Sequence, residues 1–377
     1  MKRIVALIMS VVLVFSLAAC GSSKPAPSSE AGSESASTPE KSEDGKFELA
    51  LITDLGTIDD KSFNQGSWEG LKKYAEENNI THKYYKPTEK STDAYLSAIE
   101  LAVKGGAKAI VTPGFLFEEP VFIAQATYPD VKFILIDGNP HNEDYSEFRT
   151  DKNTVGILYA EEQAGYLAGY AAVKDGMTKL GFIGGMAVPA VVRFGYGFIQ
   201  GADAAAQELG VKVSMNYHYT GGFDATPEAQ TLAASWYQNG TEVIFACGGA
   251  VGNSVMAAAE QAKGKVIGVD VDQSGESPTV ITSAMKGLSV SVYDMLKAFY
   301  DGSFPGGQGL VFNAENDGVS LPMASSKFEK FSQADYDALY KQLAANEIDI
   351  TKDADKDGNK IEITDLKTAA VETTFVD

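Results

Sequence analysis

Cysteine is almost missing from this 377-residue sequence: Cys20 and Cys247 are the whole complement. No disulfide framework can be built inside the chain once Cys20 is set apart, so stability has to come from a buried core. Histidine is as scarce, with His82, His141 and His218 scattered and lacking metal-ligand spacing. There is no Gly-x-Ser-x-Gly elbow, Walker loop or Gly-x-Gly-x-x-Gly fingerprint. After residue 19 no run is long and apolar enough to span a bilayer. Positive charge is short too, 31 Lys and Arg against 51 Asp and Glu, which argues against a nucleic-acid backbone as partner. These absences leave little for catalysis, and the chain reads as a non-enzyme with no cofactor and no metal.

What is present begins at residue 1. Lys2 and Arg3 precede an apolar stretch over 4–17, and Leu17-Ala18-Ala19 leads straight into Cys20-Gly21. That is the build of a secretory signal ending at a small-residue cleavage site. Its end resembles the lipobox of bacterial lipoproteins, which implies cleavage before Cys20 and diacylglycerol on its sulfur. Removing the two charges of Lys2 and Arg3 takes the net charge from −20 to −22. Residues 22–46 are rich in Ser, Pro, Ala and Glu and nearly free of large apolar side chains, the composition of a flexible tether.

From residue 47 short apolar runs alternate with amphipathic stretches. Strands are expected at 47–53, 109–112 and 132–137, and helices at 62–78, 94–104 and 120–128. A second series follows: strands at 179–184, 211–219, 242–246 and 265–269, helices at 188–209, 226–239 and 252–263. Near-continuous apolar strands separated by helices indicate parallel sheets covered on both faces. Two such series make an α/β chain with two doubly wound parallel-sheet lobes, and ligands bind beyond the carboxyl ends of such strands. The remaining pattern, a helix at 287–301, a strand at 309–313 and a helix at 333–345, is expected to cross back to the first lobe and then touch the second.

The strand ends carry the polar residues. Asp54 follows the first strand, and Ser62-Phe63-Asn64-Gln65 opens the next helix. Phe63 needs either a core contact or a ligand to stack on. Asp137-Gly138 closes another strand, Gly221-Gly222-Phe223-Asp224 and Gly248-Gly249-Ala250 follow two more, Asp270-Val271-Asp272-Gln273 ends a fourth, and Lys286 follows the run 280–283. Any one of these aspartates could be a helix N-cap. Convergent carboxylates, one lysine and two aromatics together suit a polar, neutral, flat ligand such as a nucleoside.

Four stretches resemble the basic membrane protein family: 53–65 with its Asp-Lys-Ser-Phe-Asn-Gln run, Glu161-Glu162-Gln163-Ala164-Gly165-Tyr166-Leu167-Ala168-Gly169, Gly181-Phe182-Ile183-Gly184-Gly185, and 268–273. The likeness covers about residues 47–345. The family comprises lipoproteins that include purine nucleoside receptors of ABC importers. It implies a type I periplasmic-binding-protein fold with a nucleoside, purine by expectation, held between the lobes. On this chain the base would stack between Phe63 and Phe223, and Asn64 and Asp137 would bond its edge. Asp270 and Lys286 would hold the ribose with help from the Gly249 backbone, and Asp54 would wall the first lobe. The partners implied are ABC permease subunits and the membrane, through the lipid on Cys20, for a monomer. Lys286 is followed by Gly287-Leu288-Ser289, where relatives more often carry a charged residue. A surface lipoprotein that senses ligand without transport, or a site for a small sugar, would share the same features.

The boundaries expected are a signal peptide at 1–19 and a lipidated tether at 20–46. The first lobe takes 47–152 with about 285–315, the second 153–284 with about 316–350, and 351–377 forms a tail on the lobes. Within that tail Asp353-Ala354-Asp355-Lys356-Asp357-Gly358-Asn359 begins like an EF-hand loop, but its twelfth position is Thr364 where a bidentate Glu is required. A turn between two short strands is the better account.

Overall fold

The structure is a computed structural model describing residues 45–376. The expectations for the signal segment, Cys20 and most of the tether fall outside those residues. The chain starts with β1 (Leu49–Ile52), α1 (Phe63–Glu77), β2 (His82–Tyr85), α2 (Thr92–Lys104), β3 (Ala109–Pro113), α3 (Glu118–Thr127), β4 (Lys132–Ile136) and β5 (Thr154–Tyr159). Next come α4 (Glu161–Lys174), β6 (Lys179–Gly184), α5 (Pro189–Leu209), β7 (Val213–Tyr219), α6 (Pro227–Gln238), β8 (Val243–Cys247), α7 (Val251–Ala262), β9 (Lys265–Asp270) and β10 (Val280–Lys286). The chain then adds α8 (Leu288–Tyr300), β11 (Gln308–Phe312), β12 (Val319–Ser320), α9 (Gln333–Ala344) and β13 (Val371–Phe375).

Two sheets result, ordered β11-β5-β4-β3-β1-β2 and β12-β10-β9-β8-β6-β7-β13. Every pairing is parallel except the short β10–β12 contact. The chain passes between the sheets after β5, after β10 and after β11, which gives the doubly wound, two-lobed architecture of a type I periplasmic-binding protein. Alternation along each strand sorts the core into faces. Leu49 and Leu51 join a cluster that includes Leu71 of α1 and Leu296 of α8, whereas Ala50 and Ile52 join one with Tyr95 of α2 and Phe117. Helix starts follow their caps: Ser91 and Thr226 accept from Ala94 and Ala229 amides, and Ser332 forms a capping box with Asp335.

The lobe boundary differs from the one expected. Thr154–Tyr159 is the fifth strand of the first sheet, so the first crossing lies at Ala160 and not at 152. Its arrival through the loop 137–153, with no helix between β4 and β5, hid it from an alternating strand–helix reading. The tail is also more than packing, since β13 adds a parallel strand to the second sheet beside β7. One Asp203 oxygen seats that strand by accepting the amides of Ala369, Ala370 and Val371 at 2.9, 2.7 and 2.9 Å.

Helices α4 and α5 meet backbone to backbone. A β-carbon at Gly165 or Gly169 would lie 2.1 Å from the carbonyl oxygen of Phe194 or Phe198. Reciprocally, one at Gly197 or Gly201 would lie 2.0 Å from the oxygen of Glu162 or Tyr166. Four glycines, two per helix at a spacing of one turn, therefore permit an approach that any side chain would block. This contact sets the start of α4, with Glu161, against Arg193 near the start of α5.

Candidate functional site

A cavity of about 530 Å³ lies where the carboxyl ends of strands from the two sheets face each other. Asp54, Phe63, Asn64, Asp137, Phe223, Gly249, Asp270 and Lys286 all line it. Its size falls in the range of small-molecule sites.

On the first lobe, Asp60 builds the loop into α1. Its carboxylate accepts the amides of Ser62, Asn64 and Gln65 at 2.9, 3.0 and 3.1 Å, doing the work of an N-cap. The Asn64 amide group donates to Asp60 and to Asp54, each at 2.9 Å. Both hydrogens that Asn64 could offer a ligand are thus engaged within the loop. Asn64 aims Asp54, whose Oδ1 also accepts from the Gly56 amide at 2.9 Å, while Asp54 Oδ2 carries no hydrogen bond among the described residues. Burial pushes the Asp54 carboxyl above its ordinary value. Phe63 is the first residue of α1 and half-buried: it packs against the core and also lines the cavity.

On the second lobe, the Phe223 ring lies against Gly185, where a β-carbon would come within 2.5 Å of it. Gly249 has φ +56°, a left-handed backbone that presents the turn after β8 to the cavity. Asp137, just after β4, and Asp270, the last residue of β9, share left-handed conformations, φ +57° and +67°, and both line the cavity. Asp270 accepts the Ser62 hydroxyl across the cleft at 2.5 Å, and Gln273 donates across it to the Lys61 carbonyl at 2.7 Å.

Lys286 occupies the middle. Its side chain is 2% exposed, its ammonium pairs with Asp137 of the opposite lobe, and Glu161 Oε1 stands 3.1 Å away. The rings of Phe63, Tyr159 and Phe194 surround it at 5.1, 5.3 and 5.4 Å from their centres. Burial works against its charge, but Asp137, Glu161 and Asp270 hold the ammonium well above its ordinary value. Burial pushes the Asp137 carboxyl up to about 7 against the pull of Lys286, and burial raises Asp270 as well. Burial acts the same way on Glu161 but loses there, because Arg193 and Lys286 together draw it below its ordinary value. Arg193 donates from Nε to Glu161 at 2.6 Å and reaches Asp353 at 3.4 Å. Glu161, Arg193 and Asp353 were not among the expected site residues. Glu161 stands in a quoted motif, yet nothing local in the sequence ties it to Arg193 or to Asp353.

The tail motif is a turn, as expected. Asp355 accepts the amides of Asp357 and Asn359 at 2.8 and 2.9 Å, and Ala354 bridges Lys360 antiparallel. No group of three metal-ligating side chains occurs among the described residues. The three histidines each have separate partners: the Ile80 carbonyl for His82, Glu118 for His141 and the Val376 carbonyl for His218.

Residues 47–364 match the Bmp family, described as ABC transporter substrate-binding protein PnrA-like. The ABC transporter nucleoside-binding protein BmpA of Lactococcus lactis is 31% identical over 306 residues, covering 75% of this chain and 83% of that protein. Basic membrane protein D of Borreliella burgdorferi is 31% identical over 300 residues, covering 78% and 84%. An ABC transporter solute-binding protein from Aeropyrum pernix superposes with a TM-score of 0.72 at 24% identity, covering 82% of this chain and 95% of that one. One from Conexibacter woesei gives 0.65 at 24% identity, with 81% and 99% covered. At those identities the two structures bear on the fold alone. The family match, by contrast, runs through both lobes and every strand end of the cleft: this chain belongs to the Bmp family of PnrA-like ABC transporter substrate-binding proteins.

Proposed function

We propose that the chain captures a nucleoside, a purine nucleoside foremost, in the cleft between its lobes and hands it to an ABC permease. In this reading Cys20 carries lipid that holds the protein on the extracytoplasmic face of the membrane. One observation carries it: the cavity sets aromatic faces, Phe63 and Phe223, beside a buried cation flanked by carboxylates from both lobes. A base offers a flat π-face and an edge of donors, and a ribose offers a pair of hydroxyls. Phe63 and Phe223 take the base, Asp270 and Lys286 take the sugar hydroxyls, and the turn at Gly249 lets backbone come close. Because the Asn64 amide hydrogens are engaged, Asn64 serves the base edge by aiming Asp54, whose free Oδ2 joins Asp137 as acceptors there. The Lactococcus relative, named as a nucleoside-binding protein, supports the same ligand class.

Titration calorimetry of the purified protein with adenosine, uridine, adenine and a free pentose tests this. Saturable heat with adenosine, and no release of adenine or ribose over hours, is the expected result. Heat with the pentose but not with either nucleoside refutes the ligand class, and release of adenine in proportion to protein refutes the binding-only reading. Cys20→Ser is expected to leave the membrane fraction or to retain its signal segment, and unchanged fractionation and mobility refute the anchor.

A further inference from the structure

We infer that Asp353, carried by the C-terminal segment, is a positioning residue for the cation in the cleft, acting through Arg193 and Glu161. The inference rests on the reading that Lys286 meets the ligand's sugar. A line of alternating charges runs from the tail across the second lobe to the first: Asp353, Arg193, Glu161, Lys286, Asp137. Exposure falls from 22% for Asp353 and 14% for Arg193 to 0% for Glu161 and 2% for Lys286, and is 9% at Asp137 on the far side. Buried ion pairs depend on every partner being present, since removing one leaves the next charge uncompensated. Glu161 has two cations to satisfy, and Arg193 has two carboxylates. How much of Glu161 is left for Lys286 therefore depends on how much of Arg193 is held by Asp353.

The tail has anchors besides the Asp353 side chain, which bear on where that side chain sits. One face of α5 presents Arg193, Tyr196, Gln200 and Asp203 in successive turns. Tyr196 donates to the Ile361 carbonyl at 3.0 Å, Gln200 exchanges two hydrogen bonds with the Thr351 backbone, each at 2.9 Å, and Asp203 seats β13. The Asp355 turn stiffens the loop beyond. The Asp353 backbone carbonyl accepts the Ile361 amide, which leaves its side chain to Arg193, and both residues line the ligand cavity. Without it, the guanidinium draws onto Glu161 alone, and Lys286 loses part of the pair that keeps it at the cleft centre.

The test uses the full chain, purified in detergent, as wild type, Asp353→Asn and Asp353→Glu. Calorimetry is run with adenosine and adenine, ligand-free melting is measured, and crystal structures of the ligand-free wild type and Asp353→Asn are compared. Asp353→Asn is expected to weaken adenosine binding about fivefold and adenine binding less than about twofold. Its ligand-free melting temperature should stay near wild type, Asp353→Glu should restore adenosine affinity, and the Lys286–Glu161 separation should lengthen from 3.1 Å. Equal losses for adenosine and adenine, or unchanged adenosine affinity, overturn the inference. So does a lowered melting temperature that accounts for the loss and that Asp353→Glu shares. If the wild type binds neither ligand, the nucleoside reading fails by itself. The relay is then judged by the crystals, and unchanged Arg193, Glu161 and Lys286 geometry overturns it.

Discussion

Cutting Phe63 back to its β-carbon separates the two roles an aromatic can have in the first turn of α1. Stacking of a base on an aromatic ring is worth about 1–3 kcal/mol by alanine substitution, so Phe63→Ala should weaken nucleoside binding roughly 5- to 150-fold. A fully buried core phenylalanine cut to alanine loses about 3–5 kcal/mol of stability. Phe63 is half-buried, packing against the core and lining the cavity, so about half of that is at stake. The Lys286 ammonium 5.1 Å from the ring centre adds a cation–π contact that the ligand-free protein also loses. Alanine alone would mix these effects, and Phe63→Leu resolves them. Leucine refills most of the apolar contact but offers no π-face. Calorimetric affinity and ligand-free melting temperature are measured for both variants. The expected result is a melting loss of several degrees for alanine, at about 2–4 °C per kcal/mol, and a smaller loss for leucine. Both variants should lose affinity to a similar extent. Leucine binding nucleoside as tightly as wild type would refute the stacking role, because the ring would then serve only as filling.

Asp270→Asn should separate nucleoside from free base. A carboxylate facing two hydroxyls loses an acceptor on becoming an amide, so adenosine affinity falls while that for adenine barely changes, and equal losses by calorimetry would place Asp270 away from the sugar. The raised Asp137 carboxyl makes a pH signature. Its folded value of about 7 exceeds the ordinary 3.8, so the folded protein holds this proton more tightly than the unfolded chain. The stability it contributes is complete below pH 4 and is lost as pH rises toward and through 7. Ligand-free melting temperature should therefore fall less steeply between pH 5 and 8 in Asp137→Asn than in wild type, and parallel slopes would contradict a high-pKa Asp137.

Much of the cleft was legible because its signals are local. Asp54, Asp137 and Asp270 each follow an apolar run directly, and the carboxyl end of a parallel strand is where a cleft must form. Lys286 was found the same way, from its place after a strand. Asn64 lines the cavity, but its amide hydrogens go to Asp54 and Asp60, and the capping role of Asp60 is visible only once the loop is folded. Glu161, Arg193 and Asp353 escaped because their pairing spans up to 160 positions and follows no period. β5 escaped because no helix announces it, and β13 because its partner β7 lies far back in the chain and three of its five residues are exposed.

The glycine contact between α4 and α5 has a mechanical consequence. Helices that touch through backbone cannot slide or roll without collision, so the pair behaves as one stiff beam inside the second lobe. The first crossing at Ala160 feeds directly into that beam, which makes α4 its lever arm. Any opening of the cleft is therefore absorbed by the crossing segments, after β5, β10 and β11, and not by shear within the lobe. Glu161 and Arg193 ride on the same beam, so they travel together, and the contacts that must part for the jaws to open are those that cross the cleft: Lys286 to Asp137, Ser62 to Asp270 and Gln273 to Lys61.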